Sequence, residues 1–306
     1  MSQSFLPLCG FLNVLKPPGM SSAQVVGYVR HLLGGVKVGH AGTLDPEAAG
    51  VLPLMVGKAA RLFDYMQDKE KAYVAEVAFG FSTTTQDAQG EVLEAGVHYP
   101  DEAALSAALP HFTGELMQRP PMFSALKQHG QPLYKLARRG LEADIPQRPV
   151  TVHALCLRSM TERHGALLAV RCSKGFYVRT LCHDLGAYLG CPSHMRFLLR
   201  TQSGPFTLET AHTLEQLAQA AAEDRLEALL LPPETALGHL EIIDAPQGME
   251  KPLLNGGRLP WRRFAPLVQA PDAPFGIRLG GRLAGIAERR GDLVKLRTWL
   301  TTNPEE

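Results

Sequence analysis

Hydrophobic and polar positions recur along this chain with two different periods, and each change of period marks an element. Phe11 to Lys16 reads as a short strand that stops at Pro17-Pro18-Gly19. Ser21 or Ser22 then caps an amphipathic helix running to about Leu33, which Gly34 and Gly35 end. Lys71 to Phe79 alternates, with Tyr73, Ala75, Val77 and Phe79 on one face and Ala72, Val74, Glu76 and Ala78 on the other, the pattern of a half-buried strand. Asp101 to Leu109 predicts a short helix. Leu167 to Cys172 predicts another strand, which breaks at Ser173-Lys174-Gly175 and passes into a helix from about Phe176 to Leu189. A strand, a glycine and a helix start in succession often form a binding corner.

Between these elements, Arg119 to Val150 mixes prolines, glycines, aromatics and basic residues, including Lys127, His129, Lys135, Arg138, Arg139 and Arg148, and resists a regular assignment. Thr213 to Leu231 is helical in pattern and acidic, and ends at Pro232-Pro233. Leu240 to Leu300 consists of short strands and glycine turns, which predicts a small β barrel or sheet of its own.

At 306 residues the chain can bury one sizeable core and a smaller second one. Its five cysteines include no CxxC pair, so reduced thiols in a cytoplasmic setting are expected, with no disulfide framework and no zinc ribbon. The apolar run Phe5 to Leu8 has no basic stretch before it, and no segment approaches the roughly 20 apolar residues of a spanning helix. Neither export nor a membrane partner is expected. A net charge of +1 gives no argument for nucleic acid from overall balance, so local clustering of basic residues has to carry it.

The candidate chemistry lies in GHAGTLDPEAAGVLPLMVGKAARLFDYM, Gly39 to Met66, where Asp45 sits in a glycine-bounded loop behind His40. A carboxylate with no metal-ligand cluster around it can serve as general base, nucleophile or partner of a cation. It can also simply cap a helix: Asp45, Pro46 and Glu47-Ala48-Ala49 make a good helix start. Arg179 falls in the first turn of the predicted helix after Gly175, where the helix dipole disfavours a cation and an anionic partner is needed. Paired with Asp45, it would hold that carboxylate ionised and fixed in direction; as an alternative it is a surface arginine or a phosphate contact. Tyr73 and Tyr177 are each open to a core role or to stacking on a nucleobase. His40 is either a hydrogen-bonded loop histidine or a ring that fills the gap left by an extruded base.

Four stretches together resemble the TruB family of bacterial tRNA pseudouridine-55 synthases: GFLNVLKPPGMSS, the Asp45 loop, PPMFSALKQHGQPLYKLARRG and CSKGFYVRTLCHDLG. The resemblance implies an α+β catalytic domain around a mixed, largely antiparallel sheet over residues 1–235, with an RNA-binding insertion at about 119–150. A small PUA-like β domain would follow over residues 239–306. It implies isomerisation of a uridine in the T-arm loop of tRNA, with no cofactor; no metal, no obligate protein partner and a monomer are the default expectations. By position, Asp45 matches the catalytic aspartate, His40 the histidine that helps flip the nucleotide, and Tyr73 the ring that stacks on the flipped uracil. Tyr177 and Arg179 match a YxR pair whose arginine pairs with the aspartate; Leu198 in HMRFLLR matches a substrate-lining leucine, and Lys16 in the opening stretch is taken as substrate-binding. Ala41, Ala49, Thr84 and Phe176 depart from the residues usual there, none of them a group that does bond chemistry.

Three routes are open to Asp45: attack on the ribose C1′, addition to uracil C6, or removal of the C2′ proton. All need an ionised, aimed carboxylate. Rival readings are a tRNA-binding folding chaperone with incidental chemistry and a guide-dependent synthase acting on another RNA.

Overall fold

The computed structural model describes residues 8–66, 70–124, 126–128, 130–137, 139–141 and 143–300. The apolar residues before Leu8, together with His129, Arg138 and the side chain of Lys127, lie outside the described residues.

In chain order the elements begin with β1 (Cys9–Lys16), α1 (Ser22–Leu32), β2 (Val38–His40), β3 (Ala49–Gly57) and β4 (Lys71–Phe79), then the hairpin β5 (Phe81–Thr83) and β6 (Val92–Ala95). There follow α2 (Glu102–Ala108), β7 (Gly114–Gln118), the two-residue strands β8 (Lys127–Gln128) and β9 (Gln131–Pro132), α3 (Leu133–Ala137), β10 (Arg148–Thr161) and β11 (Gly165–Cys172). Next come α4 (Val178–Tyr188), β12 (Ser193–Ser203), β13 (Phe206–Thr207) and α5 (Leu214–Ala222), and a last group of β14 (Ile242–Asp244), α6 (Glu250–Leu254), α7 (Trp261–Phe264), β15 (Phe275–Leu279), β16 (Arg282–Arg290) and β17 (Leu293–Trp299).

The main sheet runs β1-β3-β12-β4-β11-β10-β7, with β2 on β3 and β13 on β12. Every pairing is antiparallel except β12 with β3, where Leu199 faces Ala49 and Arg200 faces Gly50. Alternation sorts the side chains as expected: Tyr73, Ala75 and Val77 of β4 enter a core shared with Val25 and Val29 of α1, Leu181 and Leu185 of α4 and Leu217 of α5. β1 and β3 are apolar on both faces. Leu12, Val14, Leu52 and Leu54 join that helix-covered core, whereas Phe11, Val51 and Met55 pack on the other side with Leu283, Ile286 and Leu300 from the small sheet. The small sheet, β14-β15-β16-β17, has its own core around Phe264, Phe275 and Ile277.

Local signals were legible where the chain closes its own hydrogen bonds. Ser21 caps α1 in a capping box with Gln24, and Gly34 and Gly35 end the helix at positive φ. Two expectations need correction. No helix follows Asp45: the amide of Ala48 bonds the carbonyl of Asp45 at 3.1 Å in a single turn, and β3 begins at Ala49 because β1 and β12 claim that segment for the sheet. The acidic helix after Thr213 stops at Ala222, since Asp224 takes φ +54° and redirects the chain so that Leu231 exchanges backbone hydrogen bonds with Phe11 at 2.8 and 2.7 Å.

Gly50 marks a close approach within the sheet: φ is +114°, and a Cβ there would lie 2.2 Å from the Arg200 carbonyl oxygen. Gly50→Ala therefore costs about 2 kcal/mol or more, whereas Gly27→Ala, inside α1 with open space around it, gains about 0.5 to 1 kcal/mol. Urea unfolding of the two variants beside wild type checks both signs.

Candidate active site

Asp45 is carried by the loop between β2 and β3, and four groups hold that loop from below. The Ser22 hydroxyl, at the start of α1, donates to the Leu44 carbonyl at 3.0 Å and accepts from the Leu44 amide at 2.9 Å. The Lys16 ammonium donates to the carbonyls of Pro17 at 2.7 Å and Pro46 at 2.8 Å, and the Gly19 amide also bonds Pro46, at 3.0 Å. Arg200 donates from Nη1 to Thr43, from Nη2 to Gly42 and from Nε to Val51, all carbonyls, at 3.2, 3.2 and 2.7 Å. The carboxylate thus stands on backbone fixed both before and after it.

Arg179 is the second residue of α4, which Tyr177 precedes as N-cap. Its Nε lies 3.1 Å from Asp45 Oδ2 and its Nη2 donates to Asp45 Oδ1 at 3.4 Å, a two-point fork. Nη2 also donates to the Phe123 carbonyl at 2.8 Å, while Nη1 donates to the Thr85 carbonyl at 3.1 Å and to Asp87 Oδ2 at 3.4 Å. A guanidinium has five N–H donors. All of them are directed here, onto three separate segments of chain. The arginine side chain is 6 % exposed and that of Asp45 39 %, so the cation is buried behind a carboxylate that faces outward.

Burial pushes the Asp45 carboxyl above its ordinary value; Arg179 is the largest opposing influence, Asp87 adds to the rise, and Lys16 and Arg200 pull down. Arg179 thus fixes the direction of the carboxylate, while its proton affinity stays raised. Asp87 is itself held by Thr85 Oγ1 at 2.5 Å and by the Gln89 amide at 3.1 Å.

Tyr73 lies on β4 opposite Arg200 in the register, and burial pushes its pKa up to about 12 against the opposing pull of that guanidinium. Leu198 pairs with Ala75 two residues along and so shares the Tyr73 face of the sheet. Tyr177 is tied through its backbone to Gln118, whose side chain accepts from its amide at 2.8 Å and donates to its carbonyl at 3.0 Å. His40 ends β2; its Nδ1 is buried without a hydrogen-bond partner among the described residues, and burial and Arg200 lower its pKa. The hydrogen-bonded loop histidine is therefore not what the structure shows at that nitrogen.

Arg179, Tyr73, Tyr177 and Lys16 are each within electrostatic reach of the Asp45 carboxylate. Lys16 is fully buried, and its geometry gives it the job of holding the loop. Two residues here carry no signal in the reading of the sequence, Asp87 and Arg200. Asp87 sits in STTTQDAQG, three residues past Thr84. Arg200 closes the apolar run FLL two residues past Leu198, and a charge ending such a run inside a sheet is the one mark that could have found it. The described residues contain no cluster of side chains able to hold a metal ion, and no helix among them is long and apolar enough to cross a membrane.

The fold matches a solved Cbf5–Nop10–Gar1 complex with a TM-score of 0.69 and 26% identity, over 96% of this chain and 85% of that one. An archaeal box H/ACA Nop10–Cbf5 complex matches with the same TM-score at 24% identity, over 96% and 87%, which speaks to the fold alone. Sheet and site together define a pseudouridine synthase. The chain belongs to the TruB family: the description "TruB family pseudouridylate synthase (N terminal domain)" matches residues 30–178, and "tRNA pseudouridylate synthase B C-terminal domain" matches residues 179–238. Proteins named tRNA pseudouridine synthase B are similar along most of their length. That of Moorella thermoacetica is 48% identical over 94% of this chain and 90% of its own. The protein of Symbiobacterium thermophilum is 49% identical over 76% of each chain, and that of Pseudomonas paraeruginosa 45% identical over 93% of each. The second matched region ends at residue 238, ahead of the small sheet, which starts at Ile242.

The Lys16 amine sets a pH test of this geometry. Burial lowers its pKa from 10.5 to about 8, so between those values the unfolded chain binds the proton that the folded one has released. Stability of wild type relative to Lys16→Met therefore rises as pH climbs from about 8 to 10.5 and is level below that window. Urea midpoints of both proteins across this range check it.

Proposed function

We propose that the chain isomerises a uridine in the T-arm loop of tRNA, at position 55, with Asp45 as the group that acts on the nucleotide. The observation that carries this reading is the outward-facing Asp45 carboxylate gripped at two points by a buried arginine. Such a carboxylate is aimed before the substrate arrives and needs no reorganisation when charge develops beside it. The relatives named for tRNA support the substrate.

A uridine inside a folded loop has to leave its stack, at a cost of a few kcal/mol. Tyr73 stacks on the flipped uracil and His40 fills the gap it leaves, each contact worth about 1 to 3 kcal/mol, which offsets the extrusion. Tyr177 and Leu198 close the pocket around the freed base, so that it rotates and rejoins through C5 before it can escape. The fully buried Lys16 acts through the loop that it supports.

The exposed Arg119, Lys135 and Arg139 lie in the segment between β7 and β10, and the exposed Arg148 opens β10. They act as an arm that tracks phosphates, while residues 239–306 form a second, PUA-like RNA-holding unit beyond the catalytic body at 1–235. The enzyme works as a monomer.

The test is pseudouridine formation in an unmodified tRNA transcript, mapped to the nucleotide, with wild type beside Asp45→Asn. Conversion confined to the T-loop uridine, and abolished in the variant with tRNA binding kept, is the expected result. Because Asp45 must be ionised and its pKa is raised, wild-type kcat/KM falls on the acid side at a pH above the ordinary carboxylate value of about 4. A retained cellular role for Asp45→Asn would instead favour the chaperone reading.

A further inference from the structure

Among the described residues, Arg200 is the largest side chain that is buried completely, and it makes no ion pair with any of them. A buried guanidinium is costly unless its donors are used and its charge is answered. Here the donors go to neutral oxygens, the Gly42 and Thr43 carbonyls before Asp45 and the Val51 carbonyl after it, with the Tyr73 phenol on the facing strand. Apart from that phenol, the anion it senses is Asp45.

The backbone around Arg200 reinforces the same arrangement. Arg200 faces Gly50 on one side, in the only parallel pairing of the main sheet, and Tyr73 on the other, in the antiparallel register with β4. One residue therefore touches both ends of the loop that carries the carboxylate and the ring proposed to stack on the base. The two gripping arginines act differently. Arg179 holds the carboxylate itself, whereas Arg200 holds the chain that bears it.

We propose that Arg200 is a positioning residue for the isomerisation, locking the Asp45 loop and the Tyr73 ring into one frame so that carboxylate and stacked base meet at a fixed separation. This rests on the reading of Asp45 as the acting group. A displacement of about 1 Å between reacting groups costs on the order of 10²-fold in rate, so a frame of this kind shows in turnover more than in affinity.

The charged and titratable groups facing Asp45 are Arg179 from α4 and Tyr177 at its N-cap, Asp87 from the β5–β6 hairpin, Lys16 from β1, Tyr73 from β4 and Arg200 from β12. Glu47 acts on Lys16, His40 senses Arg200, and the Lys71 ammonium lies 3.6 Å from where a Cβ on Gly42 would stand, beside Arg200 Nη1 at 3.9 Å. Removing the Arg200 charge takes away one of the three cations that lower the Asp45 pKa; replacing it with lysine keeps the charge and loses the reach to three acceptors.

The experiment compares Arg200→Met, Arg200→Lys and Asp45→Asn with wild type for single-turnover rate on a tRNA transcript, tRNA dissociation constant, melting temperature and pH profile. Both Arg200 variants are expected to lose about 10²-fold in rate with tRNA affinity unchanged. The acid limb moves to higher pH in Arg200→Met and stays in place in Arg200→Lys. Wild-type turnover in either variant, or losses of rate and affinity that match, would overturn the proposal. If Arg200→Met does not fold, Arg200→Lys decides alone: a slow, tightly binding enzyme with an unmoved limb supports it, and full turnover sinks it. An active Asp45→Asn would instead remove the reading on which the proposal rests, an outcome distinct from a normal Arg200 variant beside a dead Asp45→Asn.

Discussion

A buried guanidinium whose every N–H must find an oxygen is the constraint around which the rest of this protein is arranged. Arg179 lies between two carboxylates, Asp45 and Asp87, with the carbonyls of Thr85 and Phe123 taking its remaining donors. The acceptors come from three excursions of the chain: Asp45 from the β2–β3 loop, Thr85 and Asp87 from the β5–β6 hairpin, and Phe123 from the segment that follows β7. An unfilled donor at this depth would cost about 1 to 3 kcal/mol, so the three excursions are held to one another by the same cation. The outcome is an aimed carboxylate whose counter-charge is inaccessible and whose face is open.

The sheet makes that precision possible. β3 is buried on both faces, between the helix-covered core and the contact with the small sheet, so the residues just after Asp45 cannot drift. Ser22, Lys16 and Arg200 then fix the loop through its backbone, and each is itself buried. Raising the proton affinity of Asp45 is the consequence of placing it there, and three nearby cations limit the rise.

Much of the fold was legible because local rules coincide with the global structure. The alternation of Lys71–Phe79 and the capping serine of α1 each report a structure that the segment favours by itself. β3 was not legible: VLPLMV has no alternation to betray a strand, since both its faces are buried, and Pro53 reads as a breaker although it pairs with Asn13 in the middle of the sheet. β12 was hidden by its charges and by two irregularities of register. The Asp45–Arg179 pairing could be anticipated from a cation at a helix start that needed an anion. Asp87 carried no such mark, and the charge that ends FLL marks Arg200 without showing what it holds, because their partners are a guanidinium and backbone carbonyls brought together only by tertiary structure.

The geometry of the fork, beyond its charge, is the central claim, and Arg179→Lys tests it most directly. The substitution keeps a cation behind Asp45 and removes the planar array that satisfies five acceptors. Single-turnover rates on a tRNA transcript, measured beside the tRNA dissociation constant, are expected to fall about 10²-fold or more with binding retained. Turnover close to wild type would mean that a point charge suffices, and would contradict the account.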